Sequence, residues 1–115
     1  ITDPQWKNDK GYQDWVAFMK KYYPEGALDD QSNAFGYNVA ILMTQVLKQC
    51  GNDLSRENIM RQAANLKNVD LPLLLPGIKV NTGPNDFAPI EQEQLAKFDG
   101  ERWAIFGEMV EAVRK

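Results

Sequence analysis

Apolar residues recur at helical spacing along the chain up to residue 67. The pattern predicts three helices, over about residues 9–23, 32–50 and 55–67. Asp30, Ser32 or Asn33 is expected to cap the second helix, and Ser55 the third. Beyond residue 70 the apolar period shortens to two, and Pro72 and Pro76 hold the intervening segment extended. The later pattern predicts three strands, over about residues 77–81, 91–98 and 102–106, and Asp99-Gly100 predicts a hairpin turn between the last two. For residues 108–115 a strand end and a short helix both remain open.

The second predicted helix is apolar around most of its circumference. One row of its surface contains Phe35, Val39, Leu42 and Val46, and the adjacent row contains Gly36, Ala40, Met43 and Leu47. Only a narrow polar stripe remains, at Asn38, Gln45, Lys48 and Gln49. Such a helix is buried on several sides, and two short helices cannot cover it. We therefore expect the chain to be a piece of a larger protein, and to self-associate in isolation through exposed sheet edges or exchanged C-terminal strands.

The first predicted helix has an aromatic-rich face. Its members are Tyr12, Trp15, Val16, Met19, Tyr22 and Tyr23. Such a face can stack on bases or sugars, but at this spacing it is more typical of a hydrophobic core. We interpret it as packing.

The composition is that of a globular protein, with 43% hydrophobic and 25% charged residues. The net charge is −3 and basic residues do not cluster, so the sequence predicts no nucleic-acid partner and no membrane-surface helix. The sequence contains no apolar run long enough to span a bilayer, so we also expect no direct membrane insertion.

The residue types exclude most catalytic arrangements. The chain has no histidine and one cysteine, which rules out Ser–His–Asp, Cys–His and paired-cysteine sites within it. Glu91 and Glu93 would share one strand face about 7 Å apart, a spacing compatible with acid–base chemistry, but a solvated face is favoured. We expect no catalytic residue, no metal site and no cofactor, and a buried free thiol at Cys50 unless it pairs outside this chain.

Six short segments, in order, resemble one family: the solute-binding proteins of branched-chain amino-acid-type ABC transporters. They are residues 3–6 (DPQW), 18–24 (FMKKYYP), 35–40 (FGYNVA), 47–58 (LKQCGNDLSREN), 74–82 (LLPGIKVNT) and 98–103 (FDGERW). The resemblance covers essentially the whole chain and corresponds to the C-terminal part of such a protein.

The resemblance implies an α/β protein. The chain would be a C-terminal fragment of a two-lobed type I periplasmic binding protein, and its three helices and few short strands would have an α+β appearance in isolation. Each lobe in the family is a parallel sheet flanked by helices, and ligand binds in the cleft between the lobes. The parent would be secreted to the periplasm, with its signal peptide outside this chain.

The implied function is the ligand-binding component of an ABC uptake transporter, which is not an enzyme. It would capture a small amino acid or related carboxylate and present it to the membrane permease. Where many members carry a Gly-Pro-Val/Thr-Phe-Asp segment, this chain has residues 81–87 (NTGPNDF), so aromatic and other aliphatic carboxylates stay open as ligands. The alternative functions are an extracellular ligand-sensing domain of a receptor and a free-standing interaction module.

The family also indicates where ligand-contacting residues would lie in this chain. The start of the second helix borders the cleft, and the matching positions are Asn33, Phe35 and Tyr37. Phe35 and Tyr37 could instead serve packing alone, and Asn33 could cap the helix. Because the segments that hold the ligand's carboxylate and amino groups are absent from this chain, we expect the chain alone to bind small carboxylates negligibly.

Overall fold

The secondary structure is described for residues 2–112 in a computed structural model. In this range the chain is mixed α+β, with helices first and short antiparallel strands last. The helical elements are a 3-10 turn at Pro4–Trp6, α1 at Lys10–Tyr22, α2 at Gln31–Cys50 and α3 at Arg56–Ala63. The strands are β1 at Gln92–Glu93, β2 at Ala96–Phe98, β3 at Trp103–Ile105 and β4 at Val110–Glu111.

Side-chain caps fix the starts of the helices. The Asp9 carboxylate accepts a hydrogen bond from the backbone N–H of Tyr12, 2.9 Å away, and begins α1. Of the three residues that the sequence left open as the cap of α2, Asp30 takes that position and accepts from Ser32 N–H at 2.8 Å. Ser55 caps α3, as predicted.

α3 ends at Ala63, four residues before the predicted end. Its last turn is followed by Leu66, whose N–H donates to the Thr82 hydroxyl at 2.9 Å, while Thr82 N–H donates to Leu66 C=O at 3.0 Å. These two bonds draw the chain away from the helix axis. The pairing spans 16 residues, so helical periodicity alone gave no sign of it.

The strand predicted over 77–81 is a single antiparallel bridge between Val69 and Val80. The flanking N–H groups bond elsewhere: Lys79 N–H donates to the Gln92 side chain and Asn81 N–H to Pro89 C=O. The segment is extended, but no neighbouring strand within residues 2–112 continues the ladder, and so the predicted strand does not form.

The C-terminal strands lie along one long hairpin that is interrupted in the middle. β2 pairs with β3 next to the turn, and β1 pairs with β4 at the open end. The predicted strand over 91–98 is therefore split into β1 and β2. Two residues, 94–95, lie between β1 and β2, whereas four residues, 106–109, lie between β3 and β4 on the other arm of the hairpin. Gly107, at φ +71°, lies in this bulge. The turn lies one residue later than predicted: Asp99 N–H donates to Arg102 C=O, so the two residues between them, Gly100 and Glu101, form the turn.

The buried residues form two small clusters at opposite ends of α2. One joins the end of α2 to α3 and the extended segment, and its buried members are Val46, Cys50, Leu66 and Val80. The other joins α1 to the start of α2 and contains Trp15, Met19 and Ala34. The predicted burial of Cys50 is confirmed, and so is the packing role of Trp15 and Met19. Tyr22 and Tyr23 lie largely in solvent, so the aromatic face of α1 is only partly core.

α2 buries a different stripe from the one its composition favours. The residues of α2 that face the interior are spaced by four: Ala34, Asn38, Leu42, Val46 and Cys50. The more apolar row beside it, Phe35, Val39, Met43 and Leu47, faces solvent. Within residues 2–112 nothing covers this row of α2, as expected if two short helices cannot enclose it. Asn38, predicted in the polar stripe, is buried instead.

The molecule is flat and open. Its Cα radius of gyration is 16.2 Å and its smallest extent is 19 Å. A compact domain of this length has a radius of gyration of about 13 Å. The two clusters therefore do not merge into one core.

Candidate functional site

A groove opens where the start of α1, the start of α2 and the extended segment meet. Its volume is about 310 Å³. The side chains and backbone that line it come from Trp6, Asp9, Tyr12, Gln31, Ala34, Phe35, Asn38 and residues 72–76. Three of these residues are aromatic, and most of the rest of the lining is aliphatic or proline.

A close backbone approach fixes the distance between two walls of the groove. A Cβ atom placed on Gly11 would overlap the carbonyl oxygen of Pro72 and lie 2.9 Å from the Pro72 carbonyl carbon. Only glycine therefore lets the first turn of α1 pack directly on the extended segment. This contact sets the separation of Tyr12, on α1, from residues 72–76.

Phe35 is the sequence-predicted site residue that lies in the groove. It sits in the first turns of α2, and 71% of its surface is exposed. An aromatic ring so exposed at the edge of a concave site is available to cover an apolar ligand.

The other two sequence-predicted site residues lie outside the groove lining. Tyr37 is half-buried, and its ring packs against the Phe18 ring with 5.1 Å between centroids, which links α2 to α1. The Asn33 side-chain amide donates to Ala27 C=O at 2.9 Å and closes the loop before α2. The structure thus does not bring Asn33, Phe35 and Tyr37 together around one space.

Asn38 is the polar residue that sequence reasoning missed. It is 7% exposed and lines the groove, and its Oδ1 accepts a hydrogen bond from Leu73 N–H at 3.2 Å. Because an N–H must meet an oxygen, this bond fixes the amide orientation and leaves Nδ2 as a donor. Nδ2 has no hydrogen-bond partner within residues 2–112. In the sequence, Asn38 belongs to a row of residues spaced by four that begins at Ala34. Its place in that row is the sequence feature that could have indicated its burial.

The side-chain charge of the groove lining is acidic. Among the described residues Asp9 is the one charged member of the lining, and no lysine or arginine contributes to it. One oxygen of Asp9 accepts from Tyr12 N–H as the cap of α1, so the carboxylate is held in place. Within residues 2–112 no three carboxylate, thiol or imidazole groups come together as a metal site.

The N-terminal turn that carries Trp6 to the groove is tied to the distant hairpin. One oxygen of the Asp3 carboxylate accepts from Trp103 N–H at 3.0 Å, and the Gln5 side chain donates to Trp103 C=O at 2.9 Å. The backbone N–H groups of Gln5 and, next, Trp103 lower the pKa of Asp3 below its ordinary value of 3.8. The outer edge of β3 is thereby partly covered.

Comparison of the chain with protein-family models, with curated proteins and with solved structures found no match. In the described part of the chain, none of the helices has the length and apolar content needed to cross a membrane.

Proposed function

We propose that this chain is the C-terminal part of the ligand-binding component of an ABC uptake transporter. The complete protein would capture a small amino acid or related carboxylate between two lobes of the type I periplasmic binding protein fold and present it to a permease in the membrane. The chain itself would complete one lobe and contribute the C-terminal hairpin.

The observation that carries the proposal is the uncovered apolar row of α2. Val39 and Met43, at its middle, are 46% and 44% exposed. On a helix of a doubly wound lobe, such a row would pack against a parallel sheet. Residues 2–112 contain no parallel strand that could cover it.

The total surface supports the same proposal. The accessible surface of the chain is 8520 Å². A compact monomer of 13.1 kDa has about 6,400 Å², so about 2,100 Å² more is exposed here. An excess of this size is what a lobe would expose if its other layers were removed.

The groove does not supply the recognition that a carboxylate ligand requires. In the described part of the chain, its lining holds an acidic side chain and lacks a basic one. In the proposed complete protein, the carboxylate and amino groups of the ligand would be held by segments outside this chain.

Calorimetry on the chain and on the full-length protein encoded by its gene tests the proposal. The ligands would be a panel of branched-chain amino acids and aromatic acids. We expect negligible binding by the chain alone and binding at about micromolar Kd or tighter by the full-length protein. Micromolar binding by the chain alone, or no binding of any panel member by the full-length protein, would contradict the proposal.

The coding sequence around the chain separates the proposal from its alternative. A signal peptide and further strand–helix units upstream are expected for an uptake protein. A kinase domain or membrane-spanning segment downstream would favour a ligand-sensing domain of a receptor.

A further inference from the structure

The groove between α1, α2 and the extended segment has the features of a binding site for a ligand that is not an anion. Three aromatic side chains, Trp6, Tyr12 and Phe35, line it. At about 310 Å³ it lies at the lower end of the size range of small-molecule pockets and suits a molecule of one ring.

Asn38 supplies a directed polar group in this groove. The residue is more than nine-tenths buried, and its Oδ1 is occupied by Leu73 N–H. Within residues 2–112, the one fully enclosed side-chain nitrogen or oxygen without a partner is Trp15 Nε1. The unpaired Asn38 Nδ2 therefore retains contact with open space, and the space that Asn38 lines is the groove. An amide donor in such a position calls for a ligand oxygen.

The charge of the groove determines whether the ligand oxygen that binds Asn38 Nδ2 belongs to a carboxylate or to a neutral carbonyl. Asp9 is negative, and within residues 2–112 no basic side chain of the lining offsets it. A ligand carboxylate would meet a like charge in a partly desolvated site, whereas a neutral carbonyl would accept from Asn38 Nδ2 without that penalty. The exposed ring of Phe35 and the prolines of residues 72–76 favour a flat apolar body.

We propose that the groove binds small planar aromatic molecules that carry a neutral carbonyl acceptor, the class of aromatic carboxamides. The carbonyl oxygen accepts from Asn38 Nδ2, and the ring lies among Trp6, Tyr12 and Phe35. This site is contained within the chain, so it goes beyond the proposed capture of a carboxylate between lobes and does not depend on it.

The test is a titration of the chain with benzamide and, as the matched anion, benzoate, followed by amide chemical shifts in NMR spectra. We expect saturable binding of benzamide with a Kd of about 1 mM or tighter, and shifts confined to the residues of the groove. Benzoate should bind at least about tenfold more weakly. Absent saturation with benzamide, equal binding of the two probes, or shifts located elsewhere would overturn the proposal.

Two variants test the named contacts. Asn38→Asp keeps an oxygen for Leu73 N–H and removes the donor, so benzamide affinity should fall about tenfold or more. Phe35→Ala changes an exposed side chain and should also weaken benzamide binding, which keeps the test decisive if Asn38→Asp fails to fold. Met43→Ala, on the exposed row of α2 outside the groove, is the control and should leave the affinity unchanged. Unchanged benzamide affinity in Phe35→Ala and in a folded Asn38→Asp protein would overturn the proposal.

The outcome is separable from that of the proposed function. Failure of benzamide to bind leaves carboxylate capture by the full-length protein untouched. Failure of the full-length protein to bind carboxylates does not alter the expected titration of the groove.

Discussion

Trp15 joins α1 to α2, and none of its surface is exposed. Its ring lies 5.8 Å from the Tyr12 ring, and its cluster includes Met19 and Ala34. Its Nε1–H is enclosed and has no hydrogen-bond partner within residues 2–112. An enclosed donor without a partner costs about 1–3 kcal/mol, so this side chain stabilises the fold through its rings alone.

We therefore expect Trp15→Phe to cost much less stability than the size of the residue suggests. Trp15→Ala should lower the free energy of unfolding by about 3–5 kcal/mol, because it leaves a large cavity. Trp15→Phe should cost less than about 1.5 kcal/mol, because the loss of packing is offset by removal of the unpaired donor. Urea denaturation of both variants at one protein concentration measures this. A loss in Trp15→Phe as large as that in Trp15→Ala would contradict this expectation.

Residue-scale signals in the sequence predicted some positions well and others poorly. Ser55 is a helix cap as predicted, because capping depends on neighbours within three residues. Asn38 was placed on the wrong side of α2, because two rows spaced by four residues compete and the buried one contains the less apolar side chains. The buried row is the one that packs against distant segments, and its Asn38 side chain accepts a hydrogen bond from the N–H of Leu73, 35 residues away. No local pattern contains that information.

At the scale of elements, α1 and the extended segment are held at a separation that only glycine allows. The backbone of Pro72 occupies the space where a side chain at Gly11 would project. Gly36 on α2 provides a matched case, since a Cβ there meets nothing within 4 Å. The two glycines thus have different roles in helices of the same protein.

We expect Gly11→Ala and Gly36→Ala to change stability in opposite directions. Gly11→Ala should destabilise by about 1–3 kcal/mol, because the contact with Pro72 must open. Gly36→Ala should stabilise by about 0.5–1 kcal/mol, because alanine favours the helix and has room. Thermal or urea unfolding measures both. A stabilising Gly11→Ala would mean that α1 does not rest on residues 72–76.

The hydrogen bond from Trp103 N–H to the Asp3 carboxylate, which links the N-terminal turn to the hairpin, should be lost at low pH. Because the folded pKa of Asp3 lies below its ordinary value of 3.8, its contribution to folding is present above that pH and is lost as the pH falls through the folded pKa. The NMR shift of Trp103 N–H should therefore titrate with a midpoint below 3.8. Asp3→Asn should abolish this titration. A midpoint at or above 3.8 in the unmodified chain would contradict the bond between Asp3 and Trp103.

The elements that the sequence predicted less well are those held by distant partners. The helices lie within a few residues of their predicted bounds, since their caps and periodicity are local. Residues 77–81 were predicted as a strand because Ile78 and Val80 alternate with polar residues. Their backbone N–H groups do not meet one partner strand but bond to Leu75, Val69, Pro89 and the Gln92 side chain. The groove could not be predicted as a whole, because it needs the contact between Gly11 and Pro72, which lie far apart in the sequence.

Across the whole molecule, exposed large apolar side chains outnumber buried apolar residues. Among residues 2–112, eight apolar residues are buried, and seventeen large apolar or aromatic side chains are exposed. Several of the exposed apolar side chains lie on α2. Others lie on the hairpin, where the Phe98 and Trp103 rings pack on each other with 5.4 Å between their centroids. The excess of about 2,100 Å² on this one chain is more than twice the roughly 800 Å² that each partner buries in a standard protein interface.

α2 exposes an apolar face that would pack against further protein, and the state of association of the chain in solution measures whether this face is free to do so. Light scattering over a range of concentrations should give an average mass above 13.1 kDa that rises with concentration. A variant with Val39→Lys and Met43→Lys should associate less, because two charges would have to be desolvated at the contact. Gln49→Lys, exposed on the same helix, is the control and should associate like the unmodified chain. A monodisperse monomer at high protein concentration would contradict the account.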